Sequence, residues 1–399
     1  MKKQTKNVDW YKKSLALHYK WNGKFNLEPK MHIKDRADLS CAYTPGVAEP
    51  CRVIHKDITK AYDLTGKNNL VAVITDGTAV LGLGDIGPQA GMPVMEGKAV
   101  LFKEFGGVNA IALCVNTKDP KELIDTIYHI SDSFGGINLE DISSPRCIDV
   151  ETELRKRCSI PVFHDDQWGT AIVVSAAIIN ACKVAKKDLH KIRVVINGVG
   201  SAGMAIAKML RILKVGDLVL VDRVGIIDPK QANRCNKYQL ELAKVTNKKH
   251  LKGTLKDALK GADVFVGVSA PRVFDPAWVK VMDKKAGIFA MANPEPEIMP
   301  DLAKKAGAYI VGTGRSDFPN QINNVLAFPG IFRGALDARA KDITNAMKMA
   351  ACYAIANAVP ANKLSRENIM PLALDKSVAA KVAKAVATAW KKYGMNGNK

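Results

Sequence analysis

Two pairs of adjacent carboxylates stand out in an otherwise basic chain: Glu140 and Asp141 in GGINLEDISSP, and Asp165 and Asp166 in PVFHDDQWGTA. From Asp132 to Asp166 there are eight acids and four bases, although the whole chain carries a formal net charge of +20. Hard oxygen ligands from separate loops, with coordination positions left for water and substrate, suit a catalytic Mg²⁺ or Mn²⁺. A competing reading is local. An aspartate placed where a short apolar run meets a helix often caps it, so Asp165 or Asp166 would cap a helix beginning near Gln167.

Other residues could serve the same chemistry. The glycine-crowded run ITDGTAVLGLGDIGPQAGMPVMEGKAVLF leads to Lys98, set before the apolar Ala99 to Phe102. A lysine partly desolvated beside a bound cation would have its pKa lowered into the range of a general base. The plainer alternative is a surface lysine that snorkels. Asn197 to Gly203 reads NGVGSAG, a GxGxxG in which Val199, Ser201 and Ala202 separate Gly198, Gly200 and Gly203. The motif follows a short β-rich run and opens a helical one, the context in which backbone approaches a pyrophosphate at a helix N-terminus. The next β-rich run ends at Asp222, 24 residues after Gly198, near the offset of a carboxylate that grips the adenosine ribose hydroxyls. That leans towards NAD, while Arg223 offers the 2′-phosphate of NADP a partner. A metal together with NAD(P) suits oxidation of a hydroxy acid. Tyr43, before a Thr-Pro-Gly turn, is not singled out by pattern alone.

These residues need elements to position them. At 399 residues, with 47% hydrophobic and 25% charged, the chain suits two or three globular domains. Residues 1–162 mix helical stretches such as KELIDTIYHISDSF with strands such as LVAVITDG and AIALCVN, which reads as an irregular α/β domain. Residues 163–335 alternate IRVVI, DLVLVD, DVFVGVS, GIFAMANP and AYIVGTG with helical segments, the pattern of a Rossmann-like, doubly wound parallel sheet. Residues 336–399 are mostly helical and alanine-rich, and are expected to pack back on the first domain.

Bulk features exclude some classes. The longest apolar run, Ala171 to Cys182, falls short of the roughly 20 residues of a membrane span, and no export signal follows the basic N-terminus. No membrane partner is expected. The eight cysteines lack the spacing of a zinc or redox site and fit free thiols in a reducing cytoplasm. Lysines concentrate in residues 1–30, and nine Lys or Arg lie between Lys230 and Lys260. Without interleaved aromatics these stripes read as solvated surface that helps draw in small anions, so no nucleic-acid partner is expected.

Several longer stretches resemble the malic enzymes, specifically the short bacterial form. They are AYTPGVAEPC, TDGTAVLGLGDIGP, MPVMEGKAVLF, FGGINLEDI, PVFHDDQWGTA, FAMANPEPEIMP and GTGRSDFPNQINNVLAFPGIFRGAL, in that order between Ser40 and Ala340. The resemblance implies oxidative decarboxylation of L-malate to pyruvate and CO₂ with NAD or NADP and Mg²⁺ or Mn²⁺. It also implies oxaloacetate decarboxylation and a homodimer or higher homo-oligomer. By the same resemblance Glu140, Asp141 and Asp166 look like the metal ligands, Lys98 the general base and Tyr43 the general acid. Asp165 looks like an assistant that orients Lys98 or a relay water. Asn293 and Asn324 look like residues touching substrate or the nicotinamide end of the cofactor, with Asn323 a neighbour.

Departures from the family pattern qualify this picture. Larger members carry an arginine for the malate carboxylate where this chain has Ala79, so that carboxylate must be held differently. Trp168 replaces the histidine of HDDQHGTA, with packing rather than metal binding expected to change. Some NADP-preferring short forms follow the aspartate with Ser-Lys, whereas here Arg223 and Val224 follow Asp222. A short form is expected to lack regulation through an acetyltransferase-like extension. Two other readings stand beside the resemblance: a malolactic-type enzyme of the same fold, and a non-catalytic basic nucleic-acid binder.

Overall fold

Two parallel sheets carry the chain. The computed structural model describes residues 9–398 except 22, 25, 81 and 231, so the first eight residues of the lysine-rich N-terminus lie outside the described residues. Helices α1 (Trp10–Trp21), α2 (Arg36–Ala42), α3 (Ala48–Lys56) and α4 (Ala61–Leu64) come first, and no described residue from 9 to 69 is buried. The first sheet is then built by alternation: β1 (Leu70–Thr75), α5 (Pro88–Gly106), β2 (Asn109–Cys114), α6 (Pro120–Ile130), β3 (Gly136–Leu139), α7 (Arg146–Arg157) and β4 (Val162–His164). Its strand order is β2-β1-β3-β4, all parallel. Residues Val71 to Thr75 are wholly buried, as a parallel strand covered on both faces must be. Helix α5 opens with Pro88 in its first turn and stops at Gly107, whose φ of 62° only glycine adopts without strain.

From β4 the chain enters α8 (Asp165–Ala185) directly. This helix is long and apolar enough to cross a bilayer, yet 83% of its most apolar window is buried inside the protein, where it forms the central core helix. The second sheet follows: β5 (Arg193–Asn197), α9 (Ser201–Ile212), β6 (Asp217–Asp222), β7 (Gly225–Ile226), α10 (Lys237–Ala243), α11 (Leu255–Leu259), β8 (Val264–Gly267), β9 (Gly287–Ala290), α12 (Pro300–Lys305) and β10 (Ile310–Thr313). The order is β10-β9-β8-β5-β6-β7, with β7 antiparallel to β6. The expected doubly wound sheet is therefore present, and its direction reverses between β5 and β8, where such sheets bind ligands.

The last helices are α13 (Phe328–Asp337), α14 (Asn345–Ala356) and α15 (Lys376–Tyr393). They return to both halves and not only to the first: α13 and α15 pack on α5, while α14 packs on α8 and α9. Close approach of α13 to α15 depends on Gly334, where a Cβ would fall 2.4 Å from the Ala383 carbonyl oxygen. Edge-on ring contacts bind α13 to the first domain, with Phe102 4.7 Å from Phe328 and 5.2 Å from Phe332 between centroids. These rings fix the helix that carries Lys98.

Among several buried charged residues, one is a lysine on α14. Lys348 of α14 is 1% exposed, and its Nζ lies 3.3 Å from the centroid of the Trp168 ring. Burial first, then repulsion from Arg155, pushes its ammonium down to about 7 from an ordinary 10.5, against the pull of Glu151 and Asp342. The unfolded chain therefore holds the extra proton between about pH 7 and 10.5, so stability rises with pH across that window and the cost is full at and below pH 7. Lys348→Met should raise stability by on the order of 2 kcal/mol at pH 6–7, after loss of the cation–π contact, with the gain shrinking towards pH 10. Urea unfolding at both pH values checks this, and a gain that grew with pH would contradict it.

Candidate active site

The two acid pairs meet because their strands are neighbours. Glu140 and Asp141 follow β3, Asp165 and Asp166 follow β4, and β3 pairs with β4 in parallel, so both pairs emerge at the same sheet end. One ligand atom each from Glu140, Asp141 and Asp166 lies within 4.8 Å of the others. Asp141 takes a left-handed φ of 55°. Its N–H donates to Asp166 Oδ2 at 2.8 Å, and its carbonyl accepts from Ala79 N at 2.9 Å. Neither aspartate of HDDQ is the helix cap that the local reading allowed. The helix starts at Asp165, the N-cap position is His164, and no side-chain cap bond forms there. Both carboxylates instead occupy the first turn, where the helix dipole favours negative charge.

Lys98 reaches this cluster from α5. Its Nζ lies 2.7 Å from Asp165 Oδ2 and 2.8 Å from Glu140 Oε1, and 4.4 Å from the centroid of the Phe328 ring. Lys98 is 7% exposed, which removes the snorkelling alternative. Asn324 donates from Nδ2 to the same Asp165 oxygen, so the resemblance-derived pair Asn324 and Lys98 share one acceptor. Asp165 Oδ1 has no hydrogen-bond partner and packs on Gly169, where a Cβ would come within 1.9 Å of it. The glycine of HDDQWG is therefore a space requirement of the site.

Charge balance decides what this arrangement can hold. Three buried carboxylates, Glu140, Asp165 and Asp166, act on the one ammonium of Lys98. Burial pushes Glu140 and Asp165 up to about 7 and Asp166 up to about 6, with Lys98 drawing each back. Burial pushes Lys98 down, but Asp165 and then Glu140 outweigh it and hold Lys98 above its ordinary value. The lowered lysine expected from sequence is thus not a property of the protein alone and needs an opposing cation. Clustered oxygen donors and excess negative charge fit a hard divalent cation such as Mg²⁺ or Mn²⁺.

Sequence reasoning passed over several supports. Asn138 donates to Glu140 Oε2 at 2.9 Å, and two-residue spacing on one strand face is the signal that links them. Arg146 donates to Asp76, to Thr78 Oγ1 at 2.7 Å and to the Lys118 carbonyl, tying the TDGT loop to the loop of the first acid pair. No local pattern marks that arginine. Trp168 donates its indole N–H to Glu151 at 3.1 Å, a packing role that leaves the metal cluster untouched.

The glycine-rich turn is built as the motif requires. Gly198 takes φ 99°, and a Cβ there would sit 2.5 Å from the Val268 carbonyl oxygen; at Gly203 a Cβ would sit 1.9 Å from the Gly198 oxygen. Nothing lies within 4 Å of a Cβ on Gly200, which caps α9, so that face is open to a ligand. Val199, Ser201 and Ala202 complete the turn. Asp222 ends β6, but its Oδ1 accepts from Val224 N at 2.8 Å and Gly225 N at 3.1 Å and lies 3.5 Å from Arg234. Asn293 follows β9, with its Nδ2 3.0 Å from a Cβ built on Gly314, at the same sheet end. Asn323 uses its side chain to accept from Val325 N at 2.9 Å. Tyr43 stands apart: it ends α2, is 68% exposed, and no described contact joins it to Lys98.

A dinucleotide-type sheet whose open glycine turn accompanies a buried carboxylate cluster is the arrangement of a metal-assisted dehydrogenase. Comparison with known proteins narrows the class. The family "Malic enzyme, N-terminal domain" matches residues 22–155, and "Malic enzyme, NAD binding domain" matches residues 168–391. The chain is 53% identical to the "Bifunctional malic/malolactic enzyme" of Bacillus subtilis, covering 96% of this chain and 93% of that one. It is 46% identical to an "NADP-dependent malic enzyme" of Halomonas elongata, covering 92% and 90%. The crystal structure of the NAD-dependent malic enzyme of Thermotoga maritima superposes with a TM-score of 0.91 at 46% identity, over 96% of this chain and 99% of that one. The chain belongs to the malic enzyme family.

The geometry sets Asp166, in the three-acid cluster, apart from Asp165, which pairs with Lys98. Asp166→Asn should weaken Mn²⁺ binding about tenfold more than Asp165→Asn does, because only Asp166 belongs to the three-acid cluster. Calorimetric Mn²⁺ titration of both variants tests this, and equal losses would contradict it.

Proposed function

We propose that the chain catalyses oxidative decarboxylation of L-malate to pyruvate and CO₂ with reduction of NAD or NADP, and that Lys98 is its general base. The chain is an NAD(P)-dependent oxidoreductase of the malic enzyme family. The observation that carries the residue roles is Lys98 held between Asp165 and Glu140, beside the three-acid cluster. Glu140, Asp141 and Asp166 would hold Mg²⁺ or Mn²⁺, and the Gly198–Gly203 turn would hold the pyrophosphate. When bound, the cation supplies Lewis-acid polarisation and the dinucleotide supplies the hydride acceptor.

The chain's own residues do the rest. Lys98 takes the malate hydroxyl proton. Asp165, held by Asn324, fixes the nitrogen of Lys98 and balances its charge. Asn293 and Asn324 offer amide groups to carboxylate oxygens without adding charge. Tyr43 gives its proton to C3 of the enol of pyruvate that remains once CO₂ has left, which yields pyruvate. That role requires a second copy of the chain to bring Tyr43 in, and exposed apolar residues along the N-terminal helices, including Trp10, Tyr11, Leu15 and Tyr19, support a homodimer or larger assembly.

Cofactor preference turns on Asp222. Its carboxylate favours NAD, while Arg234 beside it moderates repulsion of a 2′-phosphate, so both cofactors remain within the reading. The divisions near residues 162 and 335 are retained as functional domains. Eight free cysteines support a cytoplasmic setting.

With L-malate and Mn²⁺, reduced NAD or NADP should appear in step with pyruvate. Lys98→Ala should lower turnover on the order of 10²- to 10⁴-fold, while Tyr43→Phe should mainly slow the final protonation. No reduced cofactor from either dinucleotide, or lactate in place of pyruvate, would sink the reading.

A further inference from the structure

A cavity lies between the start of α8, the C-terminal half of α9 and the start of α14. It has a volume of about 350 Å³ and is lined by Trp168, Lys208, Arg211, Ile212 and Asn345. Arg211 stands towards the C-terminal end of α9, roughly 16 Å along the helix from the glycine turn at the other end, so this cavity is not the pyrophosphate site.

Its charges are unbalanced. Among the described residues, Lys208, Arg211 and Lys348 form no ion pair with a carboxylate. Lys208 has only the Tyr238 ring, 5.5 Å from its Nζ. Lys348 lies on the ring of Trp168, the cavity's aromatic wall. Of the neighbouring acids, Asp342 is fully engaged and Glu151 is engaged through one oxygen, its Oε1 having no hydrogen-bond partner. Glu151 accepts from Trp168 at 3.1 Å, and Asp342 takes both arms of Arg155 at 2.8 and 2.7 Å. Lys208 and Arg155 also repel Lys348, so positive charge accumulates around the Trp168 wall of the cavity.

We propose that this cavity is a binding site for a compact, multiply charged anion, held by Lys208 and Arg211 with its carbon body against Trp168 and Ile212. The shared chemistry is two or more closely spaced negative charges, carried by phosphate or by several carboxylates. Two cations about one helical turn apart match such a group, and an aromatic and an aliphatic wall suit a small metabolite better than a lone monovalent ion. The site is independent of the catalytic roles assigned above, since none of its residues belongs to the acid cluster or the glycine turn.

The full chain, saturated with NAD to fill the dinucleotide site, is titrated calorimetrically with inorganic phosphate and separately with tricarballylate. One anion per chain should bind. Lys208→Ala and Arg211→Ala should each weaken it at least tenfold, Arg211→Lys should restore part of the loss, and malate turnover without anion should stay unchanged in all three. Whichever anion binds more tightly identifies the phosphate or carboxylate source. Saturable binding by neither anion, or an affinity unchanged in either alanine variant, overturns the proposal.

Discussion

The Lys98 ammonium lies 2.8 Å from Glu140 and 2.7 Å from Asp165, and Asp166 also acts on its charge. Buried charge is tolerated only when paired and hydrogen-bonded, and here the pairing is incomplete. Glu140, Asp165 and Asp166 are each pushed up by burial and drawn down by the same lysine, while the lysine is held protonated by its neighbours. A site in that condition is preorganised for a further cation. Its arrival would weaken the hold on the Lys98 proton and bring the lysine towards the range in which it can act as a base.

The scaffold around this interaction is arranged to keep it. Lys98 sits on α5, which the Phe102, Phe328 and Phe332 rings fasten to α13. The acids sit at the carboxyl ends of two adjacent parallel strands, and Gly169 leaves room for the Asp165 carboxylate one turn into α8. The same helix is buried between the two halves of the molecule, so it joins the acid cluster at its start to the core beneath the dinucleotide sheet. Lys348 adds a second buried cation further along, where Trp168 replaces the family's histidine.

Much of this was legible in the sequence. Short β-rich runs such as IRVVI and DLVLVD became strands, and the GxGxxG has the close approaches at Gly198 and Gly203 that the motif demands. The acid pairs were recognisable because they oppose the charge of the whole chain. What was not legible depends on contacts distant in sequence. Arg146 reaches Asp76 across 70 residues, and Asn324 reaches Asp165 across 159, spacings that no local period encodes. The two carboxylates that hold the Lys98 proton are likewise brought in from other strands, so only the structure shows them beside it. Asp222 ends its strand as expected, while the turn that its Oδ1 closes with Val224 and Gly225 forms only once β7 folds back on β6.

The most direct test is the protonation state of Lys98 itself, read from its Nζ nitrogen resonance and assigned by comparison with Lys98→Arg. In cation-free protein the ammonium should persist beyond pH 10, and Mg²⁺ should shift its titration to lower pH. A neutral Lys98 amine near pH 8 in cation-free protein, or a titration that Mg²⁺ leaves unmoved, would contradict the account.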